Sequence, residues 1–209
     1  KLQKQYPGKI IAGGYLEPRS IYSSNSYDKI GNFGNESRTV HLGLDFWLSP
    51  GTKVNSMFDG EVVTSINDEG DKEYGGLLIL KHKVEDFEFY TLYGHNTIRS
   101  VLKNKIGAKI KKGDIIAEIA NYPENGNWAP HLHFQIMLST LNYKIDFPGV
   151  CYYNQIEIWK DLCPNPNLLF KSLALNYTND KSDDELIEYR KKHLGKSLKL
   201  HYEEPINIV

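Results

Sequence analysis

From Thr39 onward the chain alternates. Val40, Leu42, Leu44, Phe46 and Leu48 are apolar, and Thr39, His41, Gly43, Asp45 and Trp47 stand between them, a period of two that predicts a half-buried strand. Pro50-Gly51 then turns the chain into a strand at 53–57, and Asp59-Gly60 precedes another at 61–66, the two expected as a hairpin. After the polar loop 67–74, Gly75-Gly76 opens a run at 77–82, and 87–93 is an aromatic-rich strand expected to end at Gly94-His95. A second hairpin is expected from 106–110 and 115–119 around the turn 111–114, and 131–137 completes the series. Short strands at this spacing, separated by glycine turns, predict a mainly β fold, with an antiparallel sheet closing towards an open barrel or sandwich.

The flanks read differently. Residues 1–38 are rich in Gly, Pro, Ser, Asn and Tyr and form an irregular N-terminal wrap with one short strand expected at 9–12. Beyond Leu138, Pro-bearing loops at 146–150 and 163–167 enclose a short apolar segment, 156–162, expected to make one or two helical turns. The clearest helix is 182–194. Ser182 is its N-cap with Glu185 three residues on, Asp183 and Asp184 suit its N-terminus, Arg190 to His193 its last turn, and Gly195 stops it. The chain thus divides into the wrap 1–38, a β core at 39–140, and a loop-rich extension at 141–209 with a helix near 183–194 and a linker.

Composition narrows the function. A chain of 209 residues buries roughly 70% of its unfolded surface, enough for a full core. The 25 basic and 26 acidic residues leave a net charge of -1, so neither a nucleic-acid partner nor an anionic membrane is expected. The basic run 103–112 lacks interleaved aromatics and reads as a solvated hairpin. No apolar run reaches the roughly 18 residues that span a bilayer, and the start has no signal-peptide core. The chain begins with Lys rather than Met, as expected of a module from a longer protein. Cys151 and Cys163 allow at most one disulfide and lack metal-site spacing, leaving their pairing and the redox compartment open.

Four of the seven histidines fall where chemistry is expected. His41 and Asp45 are four apart on a strand and share a face, with side-chain-free Gly43 between them and room for an ion over it. His131 and His133 share a face while Leu132, Phe134 and Ile136 turn to the core. His95 follows Tyr93-Gly94 at a strand end, from which it can reach across a groove. Zn²⁺ takes imidazole nitrogen and carboxylate oxygen, and catalytic sites use three protein ligands with water in the fourth position. Two histidines and one aspartate supply that set. Two histidines remain to orient or deprotonate the water and to stabilise the oxyanion at an attacked carbonyl. The pattern leaves open which of His131 and His133 is the ligand. One such pair alone is more often a solvated strand face; two pairs and a third histidine together favour the metal. His82, His193 and His201 read as structural.

In these motifs the sequence resembles the lysostaphin-like (LytM-type) zinc metallopeptidases. Their His-x-x-x-Asp, Tyr-x-His and His-x-His stand here at 41–45, 93–95 and 131–133. The text between is similar as well: Ser49-Pro50-Gly51-Thr52 with Val54, Asp59-Gly60-Glu61-Val62-Val63, Tyr74-Gly75, Lys111-Lys112-Gly113-Asp114 and Pro130-His131-Leu132-His133-Phe134. The resemblance covers 39–137, about half the chain. It implies one Zn²⁺ per chain held by His41, Asp45 and His133, with His95 and His131 as the catalytic histidines. It also implies a peptide or small amide substrate in a groove of an antiparallel sheet, as in enzymes that cut short peptide links of bacterial peptidoglycan. Two departures stand out. The bulky loop 121–129, with Tyr122, Pro123 and Trp128, replaces the usual Gly- and Ser/Thr-rich loop and argues against a glycine-rich substrate. Asn96 stands after His95 where leucine is usual.

The flanks resemble a second context. Residues 121–133, 146–150, 162–168 and 194–209 look like the peptidase-like middle module of bacterial fusion proteins, between an aminoglycoside-phosphotransferase-like kinase domain and a class III pyridoxal-phosphate aminotransferase. Residues 197–206 would be the link into the aminotransferase. That context implies a cytoplasmic chain acting on a small amino compound, whereas a free-standing wall peptidase would work in the cell envelope. It also frames the competing reading, a scaffold or binding module that holds the ion without turnover.

Overall fold

Both faces of the central strands are apolar, and this decides the architecture. In the computed structural model, which describes residues 7, 9–19, 27–31, 34–141, 143, 145–172 and 175, the strands are mostly short. In chain order they are β1 (Ile11–Gly13), β2 (Asp28–Gly31), β3 (Gly34–Ser37), β4 (Val40–His41), β5 (Leu44–Trp47), β6 (Lys53–Asn55) and β7 (Gly60–Asp68). Then follow β8 (Gly75–Val84), β9 (Phe87–Asn96), β10 (Lys109–Ile110), β11 (Ile115–Glu118), β12 (Leu132–Met137) and β13 (Val150–Cys151). An antiparallel sheet of seven runs in the order β1, β5, β12, β9, β8, β7, β10. The fold is mainly β with few helices, as the alternation predicts.

Alternate residues of β8 enter different cores. Leu78 and Leu80 pack with Val62, Tyr93, Phe134 and Ile136, while Leu77 and Ile79 pack with Leu42, Leu92, Met137 and Phe147. The middle of the sheet is therefore covered on both sides. This corrects the expected half-buried strand at 39–48: His41 and Asp45, on its polar side, are buried too. That strand is also divided. β4 pairs with β13, and β5 belongs to the main sheet between β1 and β12.

The two expected hairpins exchange partners. β6 pairs with β11 and β7 with β10, so neither Asp59-Gly60 nor the turn at 111–114 joins two strands of one ladder. The turns bond to each other instead. Gly113 N donates to Ser56 O, Ser56 N to Asp114 O, and the Asp59 carboxylate accepts from Lys112 N and Lys111 Nζ. Local turn chemistry marks a change of direction but does not choose the partner. The basic run is exposed as expected, with Lys109 and Lys111 paired to Glu61 and Asp59.

Within the expected N-terminal wrap, β1 sits two residues later than its predicted start, and β2 and β3 form a hairpin that carries no hydrophobic period. Helix Ile156–Leu162 lies where its apolar segment predicts, while the four-residue helices Ile98–Val101 and Asn167–Phe170 are too short for periodicity to mark. The helix expected at 182–194 lies outside the described residues. Cys151 and Cys163 are buried free thiols, both pushed up to about 12 by burial. Among the described residues, no helix is long and apolar enough to cross a membrane.

Candidate metal and catalytic site

The register of β5 against β12 sets Asp45 directly opposite His133, and His41 enters from neighbouring β4. Gly43 makes the approach possible. A Cβ there would lie 2.7 Å from the Phe134 carbonyl oxygen and 2.8 Å from His133 Nε2. The space expected for an ion over Gly43 is thus taken by the His133 ring, whose Nδ1 turns to His41 and Asp45. His41 Nε2 lies 2.9 Å from His133 Nδ1 and 3.1 Å from Asp45 Oδ1, and His133 Nδ1 lies 3.2 Å from that same oxygen.

The outer contacts decide what these atoms present to one another. His41 Nδ1 donates to the Gly14 carbonyl at 3.1 Å. His133 Nε2 donates to Gln135 Oε1 at 3.0 Å, and the Gln135 amide nitrogen donates to the Pro148 carbonyl, which fixes which end of the amide faces the histidine. Each imidazole therefore uses its proton outwards and turns a lone pair inwards, beside a carboxylate oxygen. Burial, with Arg19 adding to it, pushes His41 down to about 4, so a proton does not fill the gap near neutrality. Three buried acceptors this close call for a cation. A tetrahedral ion with ligands at about 2.0–2.1 Å places neighbouring donors about 3.4 Å apart, close to what is observed. His41, Asp45 and His133 are accordingly a His/Asp/His group suited to a metal.

Asp45 is held charged. Burial alone would raise its carboxyl, but at the acid pH where it would take up a proton His41 is charged, and with Arg19 it outweighs burial and holds Asp45 well below the ordinary carboxylate range. With His41 neutral near pH 7, Arg19 is the standing positive charge. Its Nη1 lies 2.5 Å from Asp45 Oδ2 and its Nε 3.0 Å from Glu17 Oε2.

His95 and His131 stand beside this group with ring centroids 4.2 Å apart. β9 does not end at Gly94-His95 as expected; it runs on to Asn96 through a bulge. Tyr93 pairs with Leu78 and Asn96 with Gly76, so Gly94 and His95 together oppose Leu77 alone. His95 has φ 64°. The extra residue brings its ring to the side of His133, which strict alternation would have denied it. Asn96, unusual at this place, braces the bulge by donating to the Tyr93 and Gly94 carbonyls at 3.0 and 3.3 Å. His95 Nδ1 donates to the Asn125 carbonyl and His131 Nδ1 to that of Ala129. Both rings thus keep Nε2 as an acceptor, and His131 Nε2 is 3.8 Å from Asp45 Oδ1. Burial lowers both histidines, His95 the more.

A groove of about 520 Å³ opens over these groups, with Trp47, Tyr74, Trp128 and Phe147 among its walls. Trp47 stacks on His131 at 6.1 Å, and Lys72 Nζ lies 4.2 Å over the Trp128 ring. Loop 121–129 does more than line it, since the Asn125 carbonyl orients His95. The structure brings together all five histidine and aspartate positions singled out in the sequence. His82 lies apart in the core, bonded to the Asp59 carbonyl and Thr91 Oγ1. His193 and His201 lie outside the described residues. Arg19, Gln135 and Asn125 escaped the sequence reading. Only Gln135 carried a usable signal, being two residues from His133 on one strand face.

Residues 39–145 match peptidase family M23, just over half of the chain. Over 102 residues the chain is 31% identical to glycyl-glycine endopeptidase ALE-1 of Staphylococcus capitis, a stretch that makes up 49% of this chain and 26% of that protein. The chain thus spans about a quarter of the length of this relative. Among solved structures, it is similar to the catalytic domain of the antimicrobial peptidase lysostaphin from Staphylococcus simulans, with a TM-score of 0.44 and 21% identity over 72% of this chain and 92% of that one. It is also similar to a zinc-containing peptidase from Vibrio cholerae, with a TM-score of 0.39 and 25% identity over 59% and 36% of the respective chains. With its signature motifs inside the matched region, the chain belongs to peptidase family M23, a family of metalloendopeptidase hydrolases.

Proposed function

We propose that the chain is a zinc-dependent hydrolase of peptide or amide bonds, with one Zn²⁺ held by His41, Asp45 and His133 and with His95 and His131 as the catalytic histidines. The observation that carries this reading is the inward turn of three buried acceptor atoms beside two imidazoles that each keep Nε2 open. When bound, zinc supplies a Lewis acid that polarises the scissile carbonyl and lowers the pKa of a water towards about 7. The chain's own groups do the rest. One of the two open Nε2 atoms takes the proton of the attacking water and passes it to the leaving amine. The other, carrying a proton taken up from solvent as substrate binds and returned to solvent after release, donates to the developing oxyanion, whose negative charge offsets the burial that otherwise keeps this imidazole neutral. The groove between Trp47 and Trp128 favours a substrate with bulk over a bare glycine chain. The flanking motifs support a place between kinase-like and aminotransferase domains in a longer protein, which the full reading frame tests.

Protein purified without added metal should hold about one zinc per chain, and His41→Ala should lower that occupancy. His95→Ala should keep the zinc and lose hydrolysis across a panel of peptidoglycan, oligoglycines and small amides. Full zinc in the wild type with no hydrolysis of any of these would instead support the scaffold reading.

A further inference from the structure

We propose that the segment carrying Gly14, Glu17 and Arg19 is the outer wall of the metal site, and that Arg19 is a positioning residue for the Asp45 carboxylate. The inference rests on the metal reading of His41, Asp45 and His133 above. The segment precedes the region matched to the family and runs antiparallel along β4. Leu16 N donates to His41 O, His41 N to Glu17 O, and Arg19 N to Thr39 O, at 2.8, 3.1 and 2.9 Å. That pairing delivers two side contacts to two different ligands. The Gly14 carbonyl accepts from His41 Nδ1, and Arg19 Nη1 reaches Asp45 Oδ2.

The geometry divides the carboxylate into an inner and an outer oxygen. Arg19 takes Oδ2, leaving Oδ1, the atom that faces His41 and His133, for the ion. A planar guanidinium can hold this orientation because it is itself braced at Nε by Glu17. Glu17 has a second effect. Paired with Arg19, it offsets part of the guanidinium charge, so the carboxylate is oriented with less added repulsion towards a cation. The Arg19 and Asp45 side chains are only 10% and 4% exposed, so solvent does little to loosen the contact. Partners that orient a ligand from behind are worth about 10–100-fold in metal affinity.

The test is competition between the full chain and a chelator for zinc alone, in the wild type, in the Glu17→Gln/Arg19→Gln double variant and in Arg19→Lys. The double variant removes one charge of each sign, so the net charge of the segment is unchanged while the contact that orients Asp45 is lost, and loss of the Arg19 charge alone would strengthen rather than weaken the hold on a cation. It should bind zinc about 10–100-fold more weakly. Arg19→Lys keeps a charged donor but cannot span both carboxylates, and should fall between. Melting midpoints of the metal-free proteins identify a variant that has lost its fold, and the other variant then decides. A folded double variant or folded Arg19→Lys that binds zinc as tightly as the wild type overturns the role of Arg19. A wild type that holds no zinc overturns the metal reading itself.

Discussion

Gln135 carries no charge and stands outside the convergent ligand atoms, yet its carbonyl oxygen decides which nitrogen of His133 turns inwards. Gln135→Leu would bury the His133 Nε2 proton without an acceptor, at a cost of about 1–3 kcal/mol. Zinc affinity should fall about 10–100-fold in the same variant, read by chelator competition, and unchanged affinity would remove Gln135 from the site. The ligands themselves were legible because His-x-x-x-Asp and His-x-His carry their geometry in their spacing. What stood opaque at this scale was the contact made from a distant part of the chain. Nothing around Arg19 marks it as the neighbour of Asp45, since the strand pairing that joins them is set by backbone groups.

Among the elements, the bulge in β9 and the loop 121–129 act together on His95, one setting the direction of its ring and the other accepting its Nδ1 proton. Asn96→Leu, which restores the residue usual after this histidine, would remove the donors to the Tyr93 and Gly94 carbonyls. We expect kcat to fall by about tenfold or more, because small displacements of a catalytic group are costly, with zinc content unchanged. Wild-type turnover would show that the bulge holds without its brace. The strands themselves were legible as short apolar runs between glycine turns, with β8 an unbroken run because both of its faces are buried. The bulge was not, because an extra residue is defined only against a partner strand. For the same reason the turn signals at Asp59-Gly60 and 111–114 located two reversals without revealing that their strands pair crosswise.

For the whole molecule, the buried neutral histidines tie the stability of the metal-free protein to pH. An unfolded histidine takes up a proton near about pH 6.5, whereas buried His41 resists until about 4, and His95 and His131 are lowered as well. The stability these groups contribute is therefore complete above the unfolded value and is lost as pH falls from there through the folded value. His41 alone accounts for about 3 kcal/mol, to order of magnitude. Thermal melts of chelator-stripped protein should show the midpoint dropping between about pH 7 and about pH 4.5; a flat profile would rule this coupling out. The crossed pairing at the edge of the sheet bears on another property, the order of assembly. Asn55 pairs with Ile115 and Gly60 with Ile110, contacts 60 and 50 residues apart in sequence. An independent hairpin closes within about 1–10 μs and waits for nothing else. This corner must wait for the chain between, β8 and β9 included, to bring its two halves together, so strands that read as local hairpins in the sequence belong to the slow, long-range part of folding.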